Sequence, residues 1–288
     1  MHISEINIYP VKSLKGISVQ ASLVEPKGLE LDRRWIIVDV SGKFLTQREL
    51  PRMATINVAR FGNGIVVTAA GRGQLRVDPI ATGERVSTEV WGRPGDAFPY
   101  DAETNQWLSQ VLGTEVELRY MPDDAARPVR PPFDNNGSVT GFADGYPLLL
   151  IGEASLTDLN GRIDENGDDG VRAEVPMNRF RPNIVVAGAD PFSEDSWSRI
   201  RVGEAVFRST KPCDRCIMTT VDQAKGEFAG KEPLRTLATY RKASQVIPDR
   251  YESYILPANS VLFGQNLIPE TPGVTIQVGD AVEVIERY

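Results

Sequence analysis

Histidine is nearly missing from this chain: its 288 residues contain one, His2, at the very start. That argues against His-based catalytic triads, His-rich zinc sites and imidazole acid–base chemistry. Cysteine is almost as scarce, with two residues, which rules out a disulfide scaffold and fits a reducing cytosol. Two thiolates alone also fall short of the four that a common iron–sulfur cluster takes. No apolar run approaches the roughly 20 residues of a membrane helix. The opening Met1-His2-Ile3-Ser4-Glu5 lacks the basic region and apolar core of a signal peptide. A cytoplasmic location without a membrane partner is expected. Positive charge is not in excess either: the net charge is −7, so the surface as a whole does not advertise nucleic-acid binding. Neither G-x-x-x-x-G-K-[ST] nor a convincing G-x-G-x-x-G after a strand occurs. Demanding chemistry in such a chain belongs to a bound cofactor.

What is present reads as an ordinary globular composition, 41% hydrophobic and 25% charged, long enough for one large domain or two smaller ones. Short strands dominate. Ile6 to Tyr9, Trp35 to Val38, Leu75 to Val77, Thr88 to Trp91 and Glu115 to Met121 fit, and Asn63-Gly64 marks a hairpin between Thr55–Arg60 and Ile65–Ala69. Asp101 is a plausible N-cap for a helix with Trp107, Leu108, Val111 and Leu112 on one face and Gly113 at its end. Pro122 to Gly141 changes character and reads as a linker or a long loop over a cleft. We therefore place a boundary near Met121, giving domains over residues 1–121 and 122–288. In the second, Leu148 to Ile151, Asn183 to Ala187, Ala205 to Ser209 and Cys216 to Val221 read as strands. Ala154 to Ile163 reads as a helix, Asp164 to Asp169 as a loop, and Pro233 as the N1 residue of another helix. Thr275–Val278 and Ala281–Ile285, joined by Gly279-Asp280, predict a closing hairpin. The expected fold class is α+β, mainly β with a few helices, built as two β-barrel-like domains.

Both cysteines lie in Lys211-Pro212-Cys213-Asp214-Arg215-Cys216. A Cys-x-x-Cys pair is a redox dithiol or part of a metal site. Ile217 to Val221 favours a strand, so the helix N-terminus that activates a thioredoxin-type thiol is not expected. Lys211 and Arg215 can stabilise a thiolate. The motif looks more like one soft metal ligand than a disulfide engine, although a buried free cysteine is a common alternative. Lys12-Ser13, followed by Lys15-Gly16, can hold a phosphate or be a solvated turn. Arg33-Arg34 and Arg179-Phe180-Arg181 can grip an anion or lie on the surface.

Taken in order, these pieces resemble the MOSC family. The first half is similar to the MOSC N-terminal β-barrel through Tyr9-Pro10-Val11-Lys12-Ser13-Leu14-Lys15-Gly16, Asp32-Arg33-Arg34-Trp35 and Phe44-Leu45-Thr46-Gln47-Arg48. The second half resembles the MOSC domain through Asn178-Arg179-Phe180-Arg181-Pro182-Asn183, Glu194-Asp195-Ser196-Trp197, Cys213-Asp214-Arg215-Cys216 and Leu262-Phe263-Gly264-Gln265-Asn266. The family includes amidoxime-reducing and YcbX-type reductases. The resemblance implies a molybdenum cofactor, a molybdopterin whose metal takes Cys216 as its protein ligand and catalytic residue. A soft thiolate suits that metal. It implies that Lys12, Ser13, Arg33 and Arg181 contact the phosphate and pterin, with Asp144, Gly145, Tyr146, Asp214 and Asn266 lining the same site. Asp214 and Asn266 stand where relatives carry a serine and a tyrosine. The implied activity is reduction of N-hydroxylated small molecules (hydroxylamines, amidoximes, N-hydroxylated bases) by oxygen-atom abstraction at the metal. Pyridoxal phosphate is not expected. Because no cysteine-rich extension follows the last strand, electrons are expected from a separate flavoprotein, ferredoxin or cytochrome-type partner. Two other readings stay open: a carrier of the cofactor or of sulfur on Cys216, and a metal-free thiol–disulfide oxidoreductase. As proton donors, only Asp144 and Asp214 suggest themselves.

Overall fold

The computed structural model describes residues 1–129, 136–165, 174–249 and 252–288. Its main element is an eight-stranded sheet, in the order Ile17–Val19, His2–Ile8, Ile184–Ala187, Leu148–Gly152, Leu262–Pro269, Ala205–Asp214, Trp197–Val202, Val282–Arg287. All its neighbours are antiparallel except Leu148–Gly152 and Ile184–Ala187. A parallel pair needs a crossover, which the helix Glu153–Glu165 supplies. Glu194, 1% exposed, fixes the start of that helix by accepting from Gly152 N and Ser155 Oγ. Burial pushes the Glu194 carboxyl up from its ordinary value. A second, four-stranded sheet runs Trp35–Asp39, Val116–Tyr120, Arg93–Pro99, Val86–Val90. The fold is mainly β, with two curled half-barrel sheets. One apolar core runs through both halves of the chain, from Ile3 and Trp35 to Phe207 and Ile276.

Several sequence expectations hold. Asp101 caps Ala102–Leu112, its side chain accepting from Thr104 N, and Gly113 closes the helix at φ 63. Pro233 directly precedes Leu234–Tyr240, as the cap residue rather than at N1. Others need correction. The Asn57–Phe61 and Gly64–Ala69 hairpin turns through Gly62-Asn63, with Gly62 taking the left-handed φ of 59, so Gly64 is already strand. Asp164 belongs to the helix rather than to a loop, and residues 166–169 of that expectation lie outside the described residues. The closing hairpin does not form: Thr275–Gln277 pairs with Ala21–Glu25, and Val282–Arg287 pairs with Trp197–Val202. The reason is that the chain's first residues occupy the gap. Ile3 N donates to Asp280 O, and Val282 N donates to Met1 O.

Residues 216–221 are not one strand. Cys216 instead precedes the 3-10 turn Ile217–Thr220, and only Val221–Asp222 is strand. Thr219 and Thr220 decide this by donating their hydroxyls to Cys216 O and Ile217 O. Such local side-chain bonds compete with a ladder and override β propensity.

Arg127 ties the small sheet to the loop below it. It is fully buried, and its guanidinium donates to Val90 O, Arg93 O, Gly141 O and Ala143 O at 2.8–3.2 Å. A Cβ on Gly95 would stand 2.6 Å from its Cγ, so glycine there makes room for the stem. Burial lowers the guanidinium to about 10, and it stays cationic at neutral pH. Arg127→Met removes a donor from three buried carbonyls and a part-buried one, and is expected to cost about 3 kcal/mol or more. Urea unfolding of wild type and variant measures it.

Candidate functional site

Strand ends and the loops that follow them open onto a cavity of about 580 Å³. The loop after His2–Ile8 brings Lys12 and Ser13, and the turn before Trp35–Asp39 brings Arg33. Arg181 precedes Ile184–Ala187, Asp214 ends Ala205–Asp214, and Asn266 comes from inside Leu262–Pro269. With Asp144, Gly145, Tyr146 and Cys216, all ten residues singled out from the sequence line this one space. So do Cys213 and a set that the sequence reading left out of the site: Arg48, Trp91, Arg93, Arg179, Lys211 and Arg215. Eight cationic side chains and two carboxylates therefore face the cavity of a chain whose net charge is −7.

Lys12 is 6% exposed and donates to Phe142 O at 3.0 Å and Asp144 Oδ1 at 2.5 Å. Burial lowers the Lys12 ammonium from its ordinary value, with Asp144 opposing the shift. Burial alone would raise the Asp144 carboxyl. The Lys12 ammonium, the Trp91 Nε1 donor at 3.0 Å and the Arg48 charge instead hold it well below the usual carboxylate range.

Arg33 and Arg181 both place their guanidiniums over the Tyr9 ring, at 4.5 and 4.3 Å from its centroid. Tyr9 is itself fixed, its hydroxyl donating to Pro182 O at 3.0 Å. Arg33 leans on Asp32 and Asn183, while Arg181 donates to Leu14 O at 2.7 Å. Burial brings the Arg181 guanidinium down to about 10, helped by its neighbour Arg33 and opposed by Tyr9. Backbone strain gathers here as well. Of seven non-glycine residues at positive φ among those described, Ser13, Arg33, Trp91, Arg181 and Ile255 line the cavity. Such conformations cost roughly 1–2 kcal/mol each and mark places where side-chain aim outranks stability.

On the sulfur side, both cysteines are free. Cys213 lies in the strand Ala205–Asp214 and packs against the cluster of Leu149, Phe180 and Phe263. Burial pushes its thiol up, with Arg215 opposing. Cys216 faces a cation: Arg48 Nη2 donates to its Sγ at 3.2 Å. Arg48 also stacks over the Trp91 ring, 4.9 Å from the centroid. Lys211 pairs with Asp214 at 2.8 Å, and Asn266 Nδ2 donates to Lys211 O. Arg215 Nη2 and Arg179 Nε are buried without a hydrogen-bond partner, and both arginines line the cavity.

These residues suit one kind of occupant. Unpaired guanidinium donors and a surplus of positive charge call for an anion, and phosphate matches the guanidinium fork. Among the described residues no group of three His, Cys, Asp or Glu side chains comes together. A metal at Cys216 would thus have to arrive with ligands of its own, as the metal of a molybdopterin does. The volume lies within the range of small-molecule sites.

The signals behind the missed residues differ. Arg48 ends a block that carries the family resemblance, and Lys211 and Arg215 flank the cysteines. Trp91 gave no sign, because its aim depends on a turn at positive φ.

One expectation follows from the buried ammonium. With its folded value below the ordinary 10.5, the unfolded chain binds more protons in between, so the Lys12 contribution to stability rises with pH across that window. Wild type should gain stability relative to Lys12→Met as alkaline pH approaches 10.5. Denaturant titrations of both proteins at a series of pH values check the sign.

The comparisons with known proteins agree with this geometry. The MOSC N-terminal beta barrel domain matches residues 1–115 and the MOSC domain residues 138–283. Mitochondrial amidoxime-reducing component 1 of Homo sapiens is 33% identical over 98% of this chain and 82% of its own length. Mitochondrial amidoxime reducing component 2 of Bos taurus is 32% identical over 97% and 82%. Molybdenum cofactor sulfurase of Oryza sativa subsp. japonica is 33% identical over 98% of this chain, which spans 35% of the sulfurase. With both family segments in order along it and all ten candidate site residues lining one cavity, the chain belongs to the MOSC family.

Proposed function

We propose that this protein is a molybdenum-cofactor-dependent reductase of N-hydroxylated compounds: hydroxylamines, amidoximes or N-hydroxylated bases. The observation that carries the reading is Cys216, a single thiol held by Arg48 at the wall of a strongly cationic cavity. Relatives named for amidoxime reduction align along nearly the whole chain, which supports the same chemistry here. When bound, the cofactor supplies two-electron removal of oxygen from an N–O bond at its metal.

The protein's own residues have separate tasks in this reading. Cys216 is the metal's protein ligand. Arg48 fixes the direction of that sulfur and draws electron density from it through its N–H. Lys12, Ser13, Arg33 and Arg181 hold the phosphate and pterin, with Arg179 and Arg215 offering buried donors that lack a partner. Asp144, Tyr146, Asp214 and Asn266 shape the remaining wall, and Gly145 contributes backbone. Asp144 stays ionised beside Lys12, so it accepts protons poorly at neutral pH. Asp214, paired with Lys211, is the second carboxylate at the cavity wall. Conversion of N–OH to N–H and water consumes two electrons and two protons. A separate redox protein delivers the electrons in the cytoplasm.

A second reading draws on the sulfurase relative: a module that carries the cofactor, or sulfur on Cys216, without turnover. Molybdenum and pterin content, measured with N-hydroxy reduction by an artificial electron donor, separates the readings. In a cofactor-competent host, wild type should hold near-stoichiometric metal and pterin and reduce benzamidoxime. Cys216→Ser should lose at least about 100-fold in rate, and Cys213→Ser much less. Equal loss in both variants would favour the thiol–disulfide route, and full metal without turnover would favour the carrier.

A further inference from the structure

Trp91 is an expensive residue for its position. Val90 pairs with Arg93, leaving Trp91-Gly92 as a two-residue turn between the strands Val86–Val90 and Arg93–Pro99. Both turn residues take positive φ, 53 and 75. Asparagine or aspartate followed by glycine serves such a turn cheaply, whereas a bulky aromatic is strained there. Nothing in the turn itself calls for an indole.

The ring is both open and fixed. The residue is 53% exposed, yet three contacts hold it. Nε1 donates to Asp144 Oδ1 at 3.0 Å, the Arg48 guanidinium lies over the ring, and Phe44 meets it edge-to-face at 5.1 Å. Arg48 touches both this ring and the Cys216 sulfur. Across the same cavity Tyr254, Ile255 and Met218 add apolar lining, and Ile255 is 61% exposed. A cationic floor thus carries an apolar, partly aromatic rim.

We propose that Trp91 is the specificity-determining residue of the site, the surface on which flat, conjugated N-hydroxylated compounds rest. This rests on the reductase reading and names its substrate class. The ring is ordered before any ligand arrives, so stacking costs little entropy. The Arg48 cation over it draws electron density and favours an electron-rich partner such as an aryl amidoxime. Hydroxylamine itself has no surface to offer.

The test compares benzamidoxime with hydroxylamine in wild type, Trp91→Ala and Trp91→Phe, using loaded protein and an artificial donor. In Trp91→Ala the ratio of kcat/KM for benzamidoxime over hydroxylamine should fall about fivefold, through KM. Trp91→Phe keeps a ring but loses the bond to Asp144, and should retain more than half the ratio. An unchanged ratio in Trp91→Ala overturns the proposal, whatever happens to the separate rates. Equilibrium binding of benzamidoxime to the same proteins, read by saturation-transfer NMR, is independent of turnover. If wild type reduces neither compound, the reductase reading fails, and binding alone decides the role of Trp91. About fivefold weaker binding in Trp91→Ala upholds that role, and equal binding removes it.

Discussion

The Arg33 and Arg181 guanidiniums share one tyrosine ring, and six further cations face the same cavity with two carboxylates among them. Like charges at such distances repel, and burial makes the repulsion stronger. Acids answer three of these charges, Asp144 for Lys12, Asp32 for Arg33 and Asp214 for Lys211. Backbone oxygens anchor others: Leu14 O for Arg181, Phe180 O and Phe263 O for Arg215, and Phe142 O as a second partner of Lys12. A carbonyl steadies a cation without neutralising it, so the positive potential survives to meet an anion. Ser13, Arg33 and Arg181 take positive φ where they line this cavity.

Such an arrangement separates the work of the two sheets. The eight-stranded sheet supplies sulfur and most of the cations from its strand ends. The four-stranded sheet supplies Trp91 and Arg93 from one tight turn, and Arg127 fastens that turn to the loop carrying Asp144. Both sheets thus bring charge to one cavity, and the turn of the smaller one adds the indole.

Much of this was legible in the sequence. Patterning and turn chemistry located the helix Ala102–Leu112 and many strands, because caps and alternation are local signals. Beyond the hairpin of Asn57–Phe61 with Gly64–Ala69, pairing partners were not legible. Thr275–Gln277 and Val282–Arg287 look like a hairpin until the chain's first residues come between them. Arg93–Pro99 was hidden by Pro94 and Gly95, and the glycine makes room for the stem of Arg127. The ten site residues emerged from family resemblance rather than periodicity, and the structure collects them at one cavity. The Glu194-Asp195-Ser196-Trp197 block, equally part of that resemblance, serves packing: Glu194 anchors the crossover helix. Resemblance alone does not tell a wall of the site from a beam behind it.

His2–Ile8 pairs with Ile184–Ala187, and Ala21–Glu25 pairs with Thr275–Gln277, so the two ends of the chain close on one another late. Contacts of such sequence separation are slow to form. Lys12 and Asn266 face a common space only after Leu262–Pro269 has entered the sheet. The wall of the cavity is therefore complete only once this late strand is in place, and filling follows that step.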